Sequence, residues 1–140
     1  DFALHGQLTQ LTQVEPTAIA MTRKLAPRVR AWVDRMEDLS GHKGGDWLAE
    51  AQYGSLKDLL SEIGRTYAPF LIANAKAVES GAEKFETEID GRKWQQPPFP
   101  YQAKCFAALR EAYQVLSADS RTRVDGVLAG TGCEALFGKA

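Results

Sequence analysis

The sequence predicts an all-α, mainly helical fold carrying one small β-hairpin, and three observations predict it. Apolar residues recur at spacings of three and four along most of the 140 residues. Proline and glycine fall between those runs and divide them into short helices. One stretch, 83–96, instead alternates apolar and polar residues around Asp90-Gly91. With 44% apolar and 25% charged residues, 1–140 is expected to form a single helical domain.

The first helix is expected from Phe2 to Gln13, where Leu4, Leu8 and Leu11 share one face. This leucine ridge is expected to be the pillar around which the Trp32 segment gathers. Glu15-Pro16-Thr17 breaks the helix, because proline disfavours helix in the residue before it. A short helix from Thr17 to Leu25 follows and stops at Ala26-Pro27. Pro27 suits a first helical turn, where its missing donor costs nothing. From it Val29, Trp32, Val33, Met36 and Leu39 keep helical spacing, with Arg28, Arg30, Asp34 and Arg35 on a solvated face. Ser40-Gly41-His42-Lys43-Gly44-Gly45 then reads as a flexible connection.

A long helix is expected from Ser55 to Ser80, capped by Ser55 with Asp58 three residues on. Pro69 should bend it and Gly81 should end it. In the hairpin, 84–95, Phe85, Thr87 and Ile89 should face inward and Glu86, Glu88 and Asp90 outward. Two strands alone are marginal, so the hairpin must lie on helices. Gln96-Pro97-Pro98-Phe99-Pro100 is an extended linker. A helix from Tyr101 to Leu116 should bury Cys105, Ala108, Leu109, Ala112 and Leu116. A last helix, capped by Ser117 or Asp119, should bury Val124, Val127 and Leu128, and Gly130-Thr131-Gly132-Cys133-Glu134 reads as a terminal turn.

A net charge of −1 argues against nucleic-acid binding by phosphate neutralisation. The longest apolar run, Phe70-Leu71-Ile72-Ala73, falls far short of the ~20 residues that span a bilayer. Cys105 and Cys133 form no Cys-x-x-Cys pair, and His5 and His42 stand far apart, so no metal site is expected. Both cysteines read as small buried residues of an intracellular, cytoplasmic protein. Gly44-Gly45 lacks the phosphate-loop pattern, no Gly-x-Ser-x-Gly elbow occurs, and no histidine neighbours a serine or cysteine. Trp32 and Trp94 are assigned to packing, and Trp47 and Tyr53 remain open.

Residues 1–39 add a resemblance. Asp1-Phe2-Ala3-Leu4-His5-Gly6-Gln7-Leu8, followed by Ala26-Pro27-Arg28-Val29-Arg30-Ala31-Trp32-Val33-Asp34-Arg35-Met36, resembles the helical C-terminal domain of the glutathione S-transferase superfamily. The chain does not begin with Met and opens as helix, so it is expected to be the C-terminal part of a longer two-domain protein. The resemblance makes Asp1 a structural residue of a capping box whose partner would precede it. It implies a transferase-type helical bundle that walls a hydrophobic acceptor-substrate pocket. Glutathione and the catalytic Tyr, Ser or Cys would belong to an upstream thioredoxin-like domain, so no catalytic, cofactor-binding or metal residue is placed here. Candidate pocket contacts are His5, Tyr101 and Cys105. The implied partners are that upstream domain, a small hydrophobic electrophile and a second copy in a homodimer. The alternative is a non-enzymatic interaction module that keeps the transferase helical fold, as in metaxin-like proteins.

Overall fold

The computed structural model describes residues 2–138. It is 69% helical, with seven α-helices and one two-stranded antiparallel sheet among those residues, which is the expected mainly-α class with a hairpin. Its internal contacts fall into two compact units, Asp1–Asp46 and Trp47–Ala140.

The first unit contains α1 (Phe2–Thr9), a π-helical turn (Gln10–Val14), α2 (Pro16–Leu25) and α3 (Pro27–Met36). Both prolines open a helix, Pro27 as anticipated and Pro16 one residue ahead of the start expected at Thr17. Glu15 caps α2 by accepting the Ala18 N–H at 2.6 Å, and those backbone hydrogen bonds hold its carboxyl below the usual range. The leucine ridge is not the buried face. Leu4 and Leu11 are 52% and 45% exposed, while Thr12 is fully buried and His5, Leu8 and Thr9 are half-buried beside it. Spacing alone cannot exclude this face, because its threonines satisfy themselves locally. Thr9 Oγ1 donates to the His5 carbonyl at 2.8 Å and Thr12 Oγ1 to the Leu8 carbonyl at 2.9 Å. Arg30 is only partly solvated: Nη1 donates to the Thr12 carbonyl at 2.7 Å, and Nε binds Asp34 at 2.9 Å. Val33 is the second fully buried side chain of this unit. The role expected of Asp1 lies outside the described residues.

The second unit begins with a 3-10 turn (Glu50–Leu56), followed by α4 (Lys57–Thr66) and α5 (Ala68–Ser80). The single bent helix expected over this stretch is therefore three pieces. Pro69 lacks an N–H and crowds the carbonyl four residues back, so the helix divides at Tyr67. Ser55 does not cap it; its hydroxyl donates to the Gln52 carbonyl at 2.7 Å. Gly81 ends α5 in the left-handed conformation, at φ 68°.

The hairpin pairs β1 (Phe85–Ile89) with β2 (Arg92–Gln96), Thr87 standing opposite Trp94. Asp90 and Gly91 have φ of 52° and 73°, which the tight hairpin turn demands. Arg65 of α4 holds Asp90 and Glu62 together, so its guanidinium is pushed to a higher pKa by those two hydrogen bonds. The hairpin lies on α5 as expected: buried Phe85 meets Phe70 with ring centroids 5.7 Å apart. Glu86, Glu88 and Asp90 are exposed, as anticipated. Trp94 is 47% exposed and donates to Gln96 Oε1 at 3.0 Å, so it is only partly a packing residue.

From the linker the chain enters α6 (Pro100–Gln114), α7 (Ala118–Leu128) and a closing 3-10 turn (Cys133–Phe137). Asn74 of α5 fixes the entry: fully buried, it accepts the Phe99 N–H at 2.7 Å and donates to the Phe99 carbonyl at 3.0 Å. The face of α6 is also corrected. Phe106 and Tyr113 are buried, whereas Cys105, Ala108, Leu109 and Ala112 are exposed. Two large rings seven residues apart bury more apolar area than the alanine face. Ser117 caps α7 by accepting the Ser120 N–H at 3.2 Å. The core gathers Ala68, Phe70, Leu71, Ala77, Phe85, Phe106, Cys133 and Leu136.

Candidate functional site

In the second unit, the 3-10 turn and α7 border an open cavity of about 350 Å³. Tyr53 and Leu56 form one wall, and Ser120, Arg123, Val124, Val127 and Leu128 the other. The triplet Val124, Val127 and Leu128 has the helical spacing that suggested a buried face. These side chains are half-buried instead, because they border the cavity. Its size falls at the small end of ligand pockets, which run ~300–1,000 Å³.

One ion pair closes the polar side. Arg123 donates through Nη2 to Glu50 at 2.6 Å and through Nε at 3.2 Å, tying α7 to the 3-10 turn. Hydrogen bonding to Glu50, then the charge of Glu50 and more weakly of Asp119, raises the Arg123 pKa. The cavity therefore joins apolar walls to a rim already neutralised by its own partner. That arrangement favours an uncharged, apolar guest.

None of the three candidate pocket residues lines this cavity. His5 belongs to the first unit, edge-on to Trp32 at 6.3 Å between centroids, with Nε2 3.5 Å from the Glu37 carboxylate. Tyr101 is 67% exposed and tilted against Phe99. Cys105, one turn further along α6, is exposed rather than buried. Cys133 is buried as expected, its thiol donating to the Leu60 carbonyl at 3.1 Å. The sequence leaves Tyr53 open and reads Leu56 only as part of the long helix's apolar face; neither is assigned to a pocket, because a 3-10 turn carries no 3.6-residue periodicity to reveal which way it faces.

The Gly130–Glu134 corner is structural. Thr131 Oγ1 donates to the Leu128 carbonyl at 2.6 Å and accepts the Cys133 N–H at 3.2 Å. Glu134 accepts the Gly130 N–H at 3.1 Å, and backbone hydrogen bonds hold its carboxyl below the usual range.

Among the described residues, no group of three or more His, Cys, Asp or Glu could hold a metal ion. No helix there is long and apolar enough to cross a membrane. Comparison with known protein families, with curated proteins and with solved structures gives no match in any of the three.

Proposed function

We propose that this chain is a helical ligand-binding domain whose apolar cavity receives a small hydrophobic molecule. This is the role of the C-terminal helical half of a glutathione S-transferase-like protein. The observation that carries the reading is the cavity between the 3-10 turn and α7, with its aliphatic walls and self-paired Arg123–Glu50 rim. Glutathione and the thiol chemistry would reside on an upstream thioredoxin-like domain of the same protein. The acceptor, a small electrophile, would occupy the wall built here. A cytoplasmic homodimer is part of the same proposal. What supports the kinship is the Ala26–Met36 stretch, in which Val33 is fully buried and Trp32 half-buried; the exposed Leu4 and Leu11 do not support it.

The experiment is titration with an anilinonaphthalene fluorophore, competed by short-chain alcohols. The expected result is saturable binding that Val127→Arg or Leu56→Arg abolishes while circular dichroism is unchanged. Binding untouched by both substitutions would exclude the cavity. For the full-length protein, retention on immobilised glutathione and conjugation of a model electrophile test the transferase part.

A second reading, a non-enzymatic interaction module, is favoured by the first unit. There Phe2, Val14 and Leu25 are 81%, 59% and 70% exposed. Isolated apolar residues on a surface are ordinary, but three short helices burying so little gain stability from a partner. Absence of both glutathione retention and turnover in the full-length protein would select this reading.

A further inference from the structure

We propose that a second cavity, between the end of α6, the start of α7 and the closing turn, is a binding site for a phosphoryl group. It is an open cavity of about 520 Å³, lined by Arg110, Tyr113, Gln114, Arg121 and Phe137. Two of those five residues are arginines and none is acidic. This separates it from the apolar cavity, whose single arginine is answered by Glu50.

Both guanidiniums are held in place by main-chain carbonyls. Arg110 Nε donates to the Leu136 carbonyl at 2.8 Å, and Arg121 Nη2 donates to the Gln114 carbonyl at 2.6 Å. Each also lies over an aromatic ring, Arg110 on Phe106 at 4.8 Å and Arg121 on Tyr113 at 5.4 Å. Neutral carbonyls fix the forks without cancelling their charge. Arg30, Arg65 and Arg123 each bind a carboxylate, but among the described residues Arg110 and Arg121 form no ion pair. Arg121 Nε is moreover buried with no hydrogen-bond partner. Asp125 accepts the Tyr113 hydroxyl at 2.6 Å.

Two preorganised forks on the lining of one cavity match a dianion with several oxygens better than a monoanion. The volume exceeds what inorganic phosphate needs. The Tyr113–Phe137 stack, with centroids 4.3 Å apart, supplies an aromatic wall for the organic part of a phosphomonoester.

The test is calorimetric titration of the chain with inorganic phosphate and with phenyl phosphate, against acetate at matched ionic strength. Both phosphates should bind, phenyl phosphate the more tightly, and acetate at least about tenfold more weakly. Arg110→Gln should weaken phosphate binding by about tenfold or more, the loss expected for a hydrogen bond between charged groups. Arg121 also tethers the end of α6, so a second readout avoids its substitution. Phenylglyoxal labelling with mass spectrometry should show phosphate protecting Arg110 and Arg121, but not the exposed Arg28. Equal affinity for phosphate and acetate, unchanged affinity in Arg110→Gln, or no selective protection would overturn the proposal.

Discussion

Gly64 of α4 and Gly132 of the closing corner meet backbone to backbone. A Cβ on Gly132 would stand 3.3 Å from the Gly64 Cα, and one on Gly64 would fall 2.8 Å from the Gly132 carbonyl carbon and against the Thr131 oxygen. The obstruction is main chain on both sides, which no rotamer change relieves. Gly64→Ala is therefore expected to cost about 3 kcal/mol, the upper end of overpacking penalties. Gly132→Ala should cost about 1–2 kcal/mol, because its φ of 81° lies in the left-handed region. Urea unfolding midpoints measure both, and a Gly64→Ala midpoint equal to wild type would contradict the close approach.

Asn74 makes a different demand. Its side chain satisfies both the N–H and the carbonyl of Phe99 from a fully buried position. Asn74→Ala leaves both groups without that partner, with an expected loss of about 2–4 kcal/mol. Amide exchange should localise the effect. The Phe99 N–H, protected in the wild type, should exchange at least about tenfold faster in the variant, as a lost hydrogen bond of this class implies.

The two thiols should separate cleanly in reactivity. Cys105 is exposed on α6, whereas Cys133 is 2% exposed beneath the Gly64 crossing. A maleimide reagent should modify Cys105 rapidly in the native protein and reach Cys133 only when urea opens the fold. Two equally fast thiols under native conditions would contradict the buried position of Cys133.

Acid should weaken the start of α2 through Glu15. Its carboxylate accepts the Ala18 N–H, and the folded pKa lies below the ordinary 4.5. A depressed carboxyl pKa contributes stability that is complete well above the unfolded value and is lost as pH falls through the folded one. Wild type should therefore be more stable than Glu15→Gln at neutral pH. The difference should shrink below pH 4.5 and vanish once the carboxyl is protonated. Unfolding midpoints of the pair across that range test this; a gap that widens with acid would reverse the assignment.

What the sequence discloses here is punctuation more than orientation. Pro16, Pro27, Gly81 and Asp90-Gly91 sit where the structure places a helix start, a helix stop and the hairpin turn. Each acts through its own backbone chemistry, which needs no neighbour. The buried faces were less legible. Leu4 and Leu11 offered apolar spacing, yet Thr12 is the side chain turned fully inward, since its hydroxyl bonds within its own turn. On α6 the alanine and leucine positions gave way to Phe106 and Tyr113, one residue around the helix. Local periodicity leaves that choice open, and packing partners distant in sequence decide it. The cavity was half visible: Val124, Val127 and Leu128 announced an apolar face, but nothing local tied them to Tyr53 and Leu56 seventy residues earlier. Asn74 and Gly64 gave no signal, because their requirements come from main chain that reaches them only in the folded state.

The grip on residue 99 has a bearing on how far this sequence can drift. Asn74 touches only backbone atoms there, and the Phe99 ring itself is 49% exposed. Replacing the side chain at that site should accordingly leave the route into the following helix unchanged. Proline is the exception, since it would erase the donor that the asparagine reads. The diagnostic to seek in a distant homologue is thus an interior asparagine one long stride upstream of a proline-opened helix, not an aromatic at the joint.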